Sequence, residues 1–153
     1  MNIYFLNSSA LAKRYLAETG ADWVRALATP SAQTLLIIAR ITWVEMLSAF
    51  ARRHREGALS QDAVQRAVRL FRYDWNMQYR VIELDSNITK IAGTLIMRYP
   101  LRAYDAVQLA SALQLEEELR YISGHALTFL VADTHLATIA QAEGLQTDNP
   151  NLH

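Results

Sequence analysis

Three acids in the chain stand where burial or position gives them chemical meaning. Glu45 is flanked by apolar residues in Thr42-Trp43-Val44-Glu45-Met46-Leu47. Asp105 lies near the start of a helical pattern in Leu101-Arg102-Ala103-Tyr104-Asp105-Ala106-Val107-Gln108-Leu109-Ala110. Asp133 follows the apolar run Leu127–Val131, and Asn7 holds the equivalent place after Ile3-Tyr4-Phe5-Leu6. An acid on a largely buried helix must be paired, hydrogen-bonded or metal-bound, because an unpaired buried charge is costly. Each acid has a local explanation. Asp105 can complement a helix N-terminal dipole, worth roughly 0.3–1 kcal/mol. Asp133 can cap the helix beginning at Thr134, worth roughly 1 kcal/mol, and Glu45 can pair with an arginine. Together the three make a cluster, and clustered carboxylates repel unless a hard cation neutralises them. Mg²⁺ or Mn²⁺ suits such oxygen donors and keeps several waters. Such an ion activates water and stabilises a phosphoryl transition state.

The elements that must position these residues alternate between strands and helices. Short apolar runs predict strands at Ile3–Leu6, Leu35–Ile38, Arg80–Leu84, Leu127–Val131 and Leu145–Thr147. Helical spacing predicts helices at Ala10–Glu18, closed by Gly20, and at Ala21–Ala28, Thr42–Arg55, Ser60–Asn76, Ser86–Tyr99, Ala103–Leu119 and Thr134–Glu143. Continuous apolar strands between helices point to a parallel sheet covered on both faces. In such a sheet the ligand site lies beyond the carboxyl ends of the strands. No repeat, low-complexity stretch or linker interrupts the pattern, so residues 1–153 read as a single domain.

Composition narrows the class. Apolar residues make 52% of the 153 and charged residues only 20%, which excludes disorder as the main state. The absence of cysteine excludes a disulfide scaffold and a cysteine-based zinc site. No apolar run approaches a membrane span. The N-terminus lacks a basic start and a long apolar core, so no signal peptide is read and a cytoplasmic location is expected. Net charge is zero, but residues 51–80 carry seven Arg against Glu56, Asp62 and Asp74. That local excess reads either as a solvated helix face or as a surface for RNA or an acidic partner.

With these residues in view, the chain resembles the PIN-domain ribonucleases of the VapC toxin type. The opening Tyr4-Phe5-Leu6-Asn7-Ser8-Ser9-Ala10-Leu11-Ala12-Lys13-Arg14-Tyr15 is similar to that family's start: a hydrophobic strand, then Asp-Ser/Thr-Ser, then a small-residue helix with a Lys. The Glu45 helix, the segment 101–110 and Phe129-Leu130-Val131-Ala132-Asp133 match its other acidic positions in order and spacing. The closing Ala142-Glu143-Gly144-Leu145 with Asn149-Pro150 resembles its end, so the likeness spans essentially the whole chain. The resemblance implies a three-layer α/β/α fold with a mostly parallel sheet of four to five strands. It implies a Mg²⁺- or Mn²⁺-dependent endoribonuclease, the toxin of a toxin–antitoxin pair. Asn7, Glu45, Asp105 and Asp133 would be the catalytic and metal-binding positions, with Ser9 in support.

Asn7 departs from the pattern, because the family has an acid there. An amide offers a carbonyl oxygen but no charge. Two unit charges ~4 Å apart interact by about 4 kcal/mol at an effective dielectric of 20, so the loss should weaken metal binding and impair cleavage. An inactivating substitution on an otherwise intact site explains this better than decay, which would have removed more of the acids. Two other readings stay open: a catalytically inactive PIN module that binds RNA or protein, and a flavodoxin-like phosphoacceptor signalling domain.

Other residues take lesser roles. His54, His125, His135 and His153 lack metal-like spacing, and Trp23, Trp43 and Trp75 read as core or interface residues. Arg102, three residues before Asp105, can meet an RNA phosphate. The expected partners are RNA, a cognate antitoxin and a second copy of the chain, with no membrane. The homodimer expectation rests on the helices 42–55 and 60–76, whose Trp43, Met46, Phe50, Val64, Val68, Phe71 and Trp75 exceed what one small sheet can cover. An acidic cleft would also attract an Arg or Lys presented by an antitoxin segment.

Overall fold

The computed structural model describes residues 1–153. Five strands form one sheet: β1 (Asn2–Leu6), β2 (Thr34–Ala39), β3 (Arg80–Ile82), β4 (Thr128–Leu130) and β5 (Gln146–Asp148). Their order is β3-β2-β1-β4-β5 and every pairing is parallel. The helices are α1 (Ser8–Tyr15), α2 (Ala21–Leu27), α3 (Thr42–Arg55), α4 (Gln61–Met77), α5 (Ser86–Arg98), α6 (Ala103–Ser123) and α7 (Thr134–Ala142), followed by a 3₁₀ turn at Pro150–Leu152.

Side-chain alternation along the strands divides the interior into two layers. Ile3, Phe5, Ile37, Ala39 and Phe129 face α5, α6 and α7, burying Ile88, Leu95, Leu109 and Leu136. Leu6, Leu36, Ile38 and Leu130 face α1, α3 and α4, burying Leu11, Met46, Phe50 and Phe71. The expected three-layer α/β/α architecture is therefore the observed one. The strand order also removes the phosphoacceptor reading, because a flavodoxin-like sheet runs 2-1-3-4-5. The chain builds β1, β2 and β3 outward on one side, then crosses to build β4 and β5 on the other. The switch point lies between β1 and β4, where an open parallel sheet places its ligand site.

Several boundaries differ from the sequence reading. The first helix ends at Tyr15, because Leu16 turns extended (φ −117°, ψ 147°) and buries its side chain in the core. Gly20 therefore does not close that helix; it precedes α2 at φ +82°, where a Cβ would lie 2.2 Å from the Pro150 carbonyl oxygen. The long helix α6 runs past Leu119 to Ser123 and stops at Gly124, the first residue able to take the left-handed turn (φ +68°). Strand β3 ends at Ile82, before Asp85 caps α5. Strand β5 sits one residue later than expected.

The surplus of apolar side chains on α3 and α4 is mostly absorbed. Met46, Phe50 and Phe71 are fully buried. Trp43, Val64, Val68 and Trp75 pack against the same layer, with Trp43 stacked on Phe71 and Trp75 edge-on to both. Met46, Phe50 and Phe71 are therefore core and do not supply a dimer surface, whereas Trp43, Val64, Val68 and Trp75 stay half-buried. The large apolar residues left exposed are Val44 on α3 and Leu70, Tyr73 and Met77, a row along α4.

A polar network fastens α1 to α4 beside this core. Tyr15 donates to Asp74 at 2.6 Å, and Arg14 reaches both Tyr79 Oη (2.6 Å) and Asp74 (3.2 Å). Burial, with Tyr79 and Asp74 alongside, holds the Tyr15 phenol far above its ordinary pKa, so it stays a donor. Phe71 joins Tyr15, Trp43, Phe50, Trp75 and Tyr79 in one aromatic cluster. Phe71→Ala is expected to cost about 3–5 kcal/mol of folding stability, read from the midpoint of urea unfolding.

Candidate active site at the carboxyl edge of the sheet

The two turns at the switch point are tied to each other. Asn7, the residue after β1, donates its backbone N–H to the Leu130 carbonyl of β4 at 2.9 Å. Its side chain caps α1: Oδ1 accepts from the Ser9 N–H at 3.1 Å and from Ser9 Oγ at 2.7 Å. The same Ser9 hydroxyl accepts the Ala132 N–H at 3.0 Å. Ser9 thus bridges the β1 turn and the β4 turn, a structural form of the supporting role expected of it. Asp133 caps α7, its Oδ1 accepting the Leu136 N–H at 3.0 Å.

Glu45 enters from the first turn of α3 and Asp105 from the first turn of α6. Glu45 Oε2 accepts from Ser8 Oγ at 2.9 Å, and Oε1 accepts from Gln108 Nε2 at 2.6 Å. Burial pushes Glu45 above the ordinary carboxylate range, aided by the nearby Asp105 and opposed by the Gln108 and Ser8 hydrogen bonds. The arginine partner considered for Glu45 is absent; Arg102 instead pairs with Asp105 (Nε to Oδ2, 3.2 Å) and leaves most of its side chain exposed. His135 meets only the Pro100 carbonyl, at 3.0 Å.

Asn7, Ser9, Glu45, Arg102, Asp105 and Asp133 all line a single cleft of about 820 Å³. Every candidate position named from the sequence therefore reaches one place. The sequence reading missed three further features. Gln108 is fully buried and donates to both Thr42 Oγ1 (2.8 Å) and Glu45, fixing the carboxylate. A glutamine within Asp105-Ala106-Val107-Gln108 lies on the Asp105 side of its helix, and that spacing was the available signal. Lys13, with Arg53, lines the opposite end of the cleft. Glu116, buried on α6, accepts the Leu127 N–H at 2.8 Å and so fixes the entry to β4.

The donor set has the chemistry of a hard divalent cation site: oxygen ligands only, in a cleft with room for water. No three His, Asp or Glu side chains converge closely enough to close a shell by themselves. One or two carboxylates plus retained waters, the habit of Mg²⁺, is the arrangement that Asp105 and Asp133 fit. Asn7 does not add to it. Its Oδ1 is committed to Ser9, and its Nδ2, buried without any partner in a residue only 2% exposed, is a donor that cannot ligate a cation.

No protein-family model matches the chain. Two curated relatives from Mycobacterium tuberculosis do, Ribonuclease VapC45 of strain CDC 1551 and Ribonuclease VapC49 of strain H37Rv. Each is 30% identical over 144 residues, covering 94% of this chain and 93% of the relative. Among solved structures, VapBC2 from Rickettsia felis bound to a promoter DNA fragment shares the fold at a TM-score of 0.63 and 14% identity, over 96% of this chain and 98% of that one. VapC20 of M. tuberculosis, described as a sarcin–ricin loop cleaving toxin, shares it at 0.61 and 14%, over 93% and 95%. Identity of 30% to the two ribonucleases over nearly the whole chain, with the fold shared by the solved structures, means that the chain belongs to the VapC family of PIN-domain ribonucleases.

Proposed function

We propose that the protein is the toxin half of a toxin–antitoxin pair, a Mg²⁺- or Mn²⁺-dependent endoribonuclease whose activity is lowered by Asn7. The observation that carries this reading is that Glu45, Asp105 and Asp133 line one cleft with Asn7 at the switch point. The names of the relatives support RNA as substrate, and the toxin–antitoxin assemblies among the structural neighbours support an antitoxin as partner. A cytoplasmic location is part of the same reading; no helix is long and apolar enough to cross a membrane.

Asp105 and Asp133 would hold the cation, with Glu45 beside them. Such an ion, when bound, supplies a water of lowered pKa and neutralises charge developing on phosphate. The protein's own contribution is positional. Gln108 and Ser8 lock Glu45, and Ser9 locks the turn that carries Asp133. Arg102, exposed beside Asp105, is placed to meet a phosphate oxygen. In this reading Ser8 and Ser9 serve to hold Glu45 and the β4 turn, and water is the attacking group.

The second reading, an inactive module that only binds RNA or protein, draws its support from the orphaned Nδ2 of Asn7. One substitution separates the two. Asn7→Asp keeps the oxygen that Ser9 holds and turns Nδ2 into a second carboxylate oxygen. Mn²⁺ affinity, measured by calorimetry, is expected to rise about tenfold or more, and RNA cleavage on gels to appear or strengthen. In that background Asp105→Asn or Asp133→Asn should abolish cleavage. Asparagine caps as well as aspartate, so the Asp133→Asn form should keep its melting temperature.

Gln108→Leu, made in the Asn7→Asp background, should lower metal affinity or cleavage by about 10–100-fold, the usual effect of losing an outer-shell partner. Circular dichroism should show the fold retained. The homodimer also belongs to this proposal, now through the exposed row Leu70, Tyr73 and Met77. Light scattering should give about twice the 17.3 kDa monomer mass, and Tyr73→Glu should return the monomer value.

A further inference from the structure

Two helices wall the cleft, and each presents one stripe to it. From α1 come Ser8, Ser9, Ala12 and Lys13; from α3 come Val44, Glu45, Ser48, Ala49, Arg52 and Arg53. Both sets follow helical spacing, so each stripe runs straight along its helix. Both end on a base, and only the α3 stripe carries an acid at its start. The amide Asn7 and the acid Glu45 stand at the N-terminal ends, and Lys13 and Arg53 stand six and eight residues further on. At 1.5 Å per residue the basic end lies roughly 9–12 Å from the other end. Between them the lining is small: Ala12, Ser48 and Ala49.

The basic end is unusual in its charge balance. Lys13 is only 4% exposed, an ammonium almost wholly removed from bulk water. Its ion-pair partner is Glu18, at 3.2 Å. The other oxygen of Glu18 takes Arg53 at 2.8 Å. Arg52 lines the same end and forms no ion pair. Two cations therefore share one carboxylate, and a third at the same end has none. A nearly buried cation needs a counter-anion, and a carboxylate with one oxygen on each of two cations imitates a phosphodiester with its two anionic oxygens.

Resting on the ribonuclease reading above, we infer that Lys13, Arg52 and Arg53 form a phosphate subsite for the RNA strand flanking the scissile bond. Glu18 occupies that subsite until RNA arrives. The groove then has one end that cuts and one end that grips, joined by a floor of small side chains along which the strand lies. Excess positive charge remains after Glu18 is counted, so the subsite attracts the strand before Glu18 is displaced.

The test uses the full chain carrying Asp133→Asn, which prevents cleavage, and a fluorescein-labelled single-stranded oligoribonucleotide. Anisotropy is followed over a series of salt concentrations. Adding Arg53→Gln should weaken binding several-fold and reduce the slope of log affinity against log salt by about 0.7, the value of one phosphate contact on a single strand. Adding Glu18→Gln should do the opposite, tightening binding and keeping or steepening the slope, because the competing carboxylate is gone. A purely structural role for the ion pairs predicts that Glu18→Gln loosens binding along with the fold, and a thermal melt of each variant separates these outcomes. If the Asp133→Asn protein binds RNA while both variants leave affinity and slope unchanged, the subsite is refuted and the ribonuclease reading stands. An acidic peptide bound through Arg53, with RNA binding indifferent to it, also refutes the subsite and assigns the groove to a protein partner. Failure of every form to bind RNA, with no cleavage by Asn7→Asp, overturns both.

Discussion

The hydroxyl of Ser9 is the interaction on which the arrangement turns. It donates to Asn7 at the end of β1 and accepts from Ala132 after β4. These two turns lie 125 residues apart in sequence and belong to opposite halves of the sheet. A parallel sheet sends all its strands to one edge, so the polar turns collect there without further design. What parallel pairing alone does not set is the distance between the two turns flanking the switch point. One oxygen with a donor on one side and an acceptor on the other sets it, and the Asn7 backbone bond to Leu130 repeats the constraint. The acids then arrive on helix first turns and caps.

The general plan was legible because it depends on patterns that local residues carry. Apolar runs and helical spacing give the strands and helices, and alternation within the strands gives two buried layers. The candidate site was legible for a different reason: acids at strand ends and in apolar helices stand out against their neighbours. What escaped depends on tertiary contact. Nothing local says that Leu16 will leave the helix to fill the core, or that Met46 and Phe50 will be wholly consumed by α1 and α4. Gln108 is a neutral residue whose importance comes only from Glu45, 63 positions away. Glu116 reads as one of three consecutive glutamates until Leu127 is seen beside it. The pairing of Lys13 with Glu18 was within reach of the sequence; the addition of Arg53 from α3 was not.

The charge of the cleft also changes how the local basic excess is understood. Read as a run, the arginines of residues 51–80 suggest one broad positive surface. In the fold they separate by task. Arg53 joins a half-buried ion pair with Glu18, Arg72 lies over the ring of Trp43, and Arg52 alone among these lines the cleft without a partner. A charge count along the chain therefore overstates the surface available to RNA and understates its direction, which is along the groove.

Asn7 and Asp133 each close the start of a helix with the same side chain that lines the cleft. Asparagine and aspartate serve equally well as such closures. At Asp133 an exchange to asparagine changes the charge of the cleft and keeps the cap, whereas at Asn7 the incoming carboxylate oxygen takes the place of the buried, unpartnered Nδ2. A one-residue change of charge is therefore cheap at the start of α7 and costly at the start of α1 unless a cation offsets it.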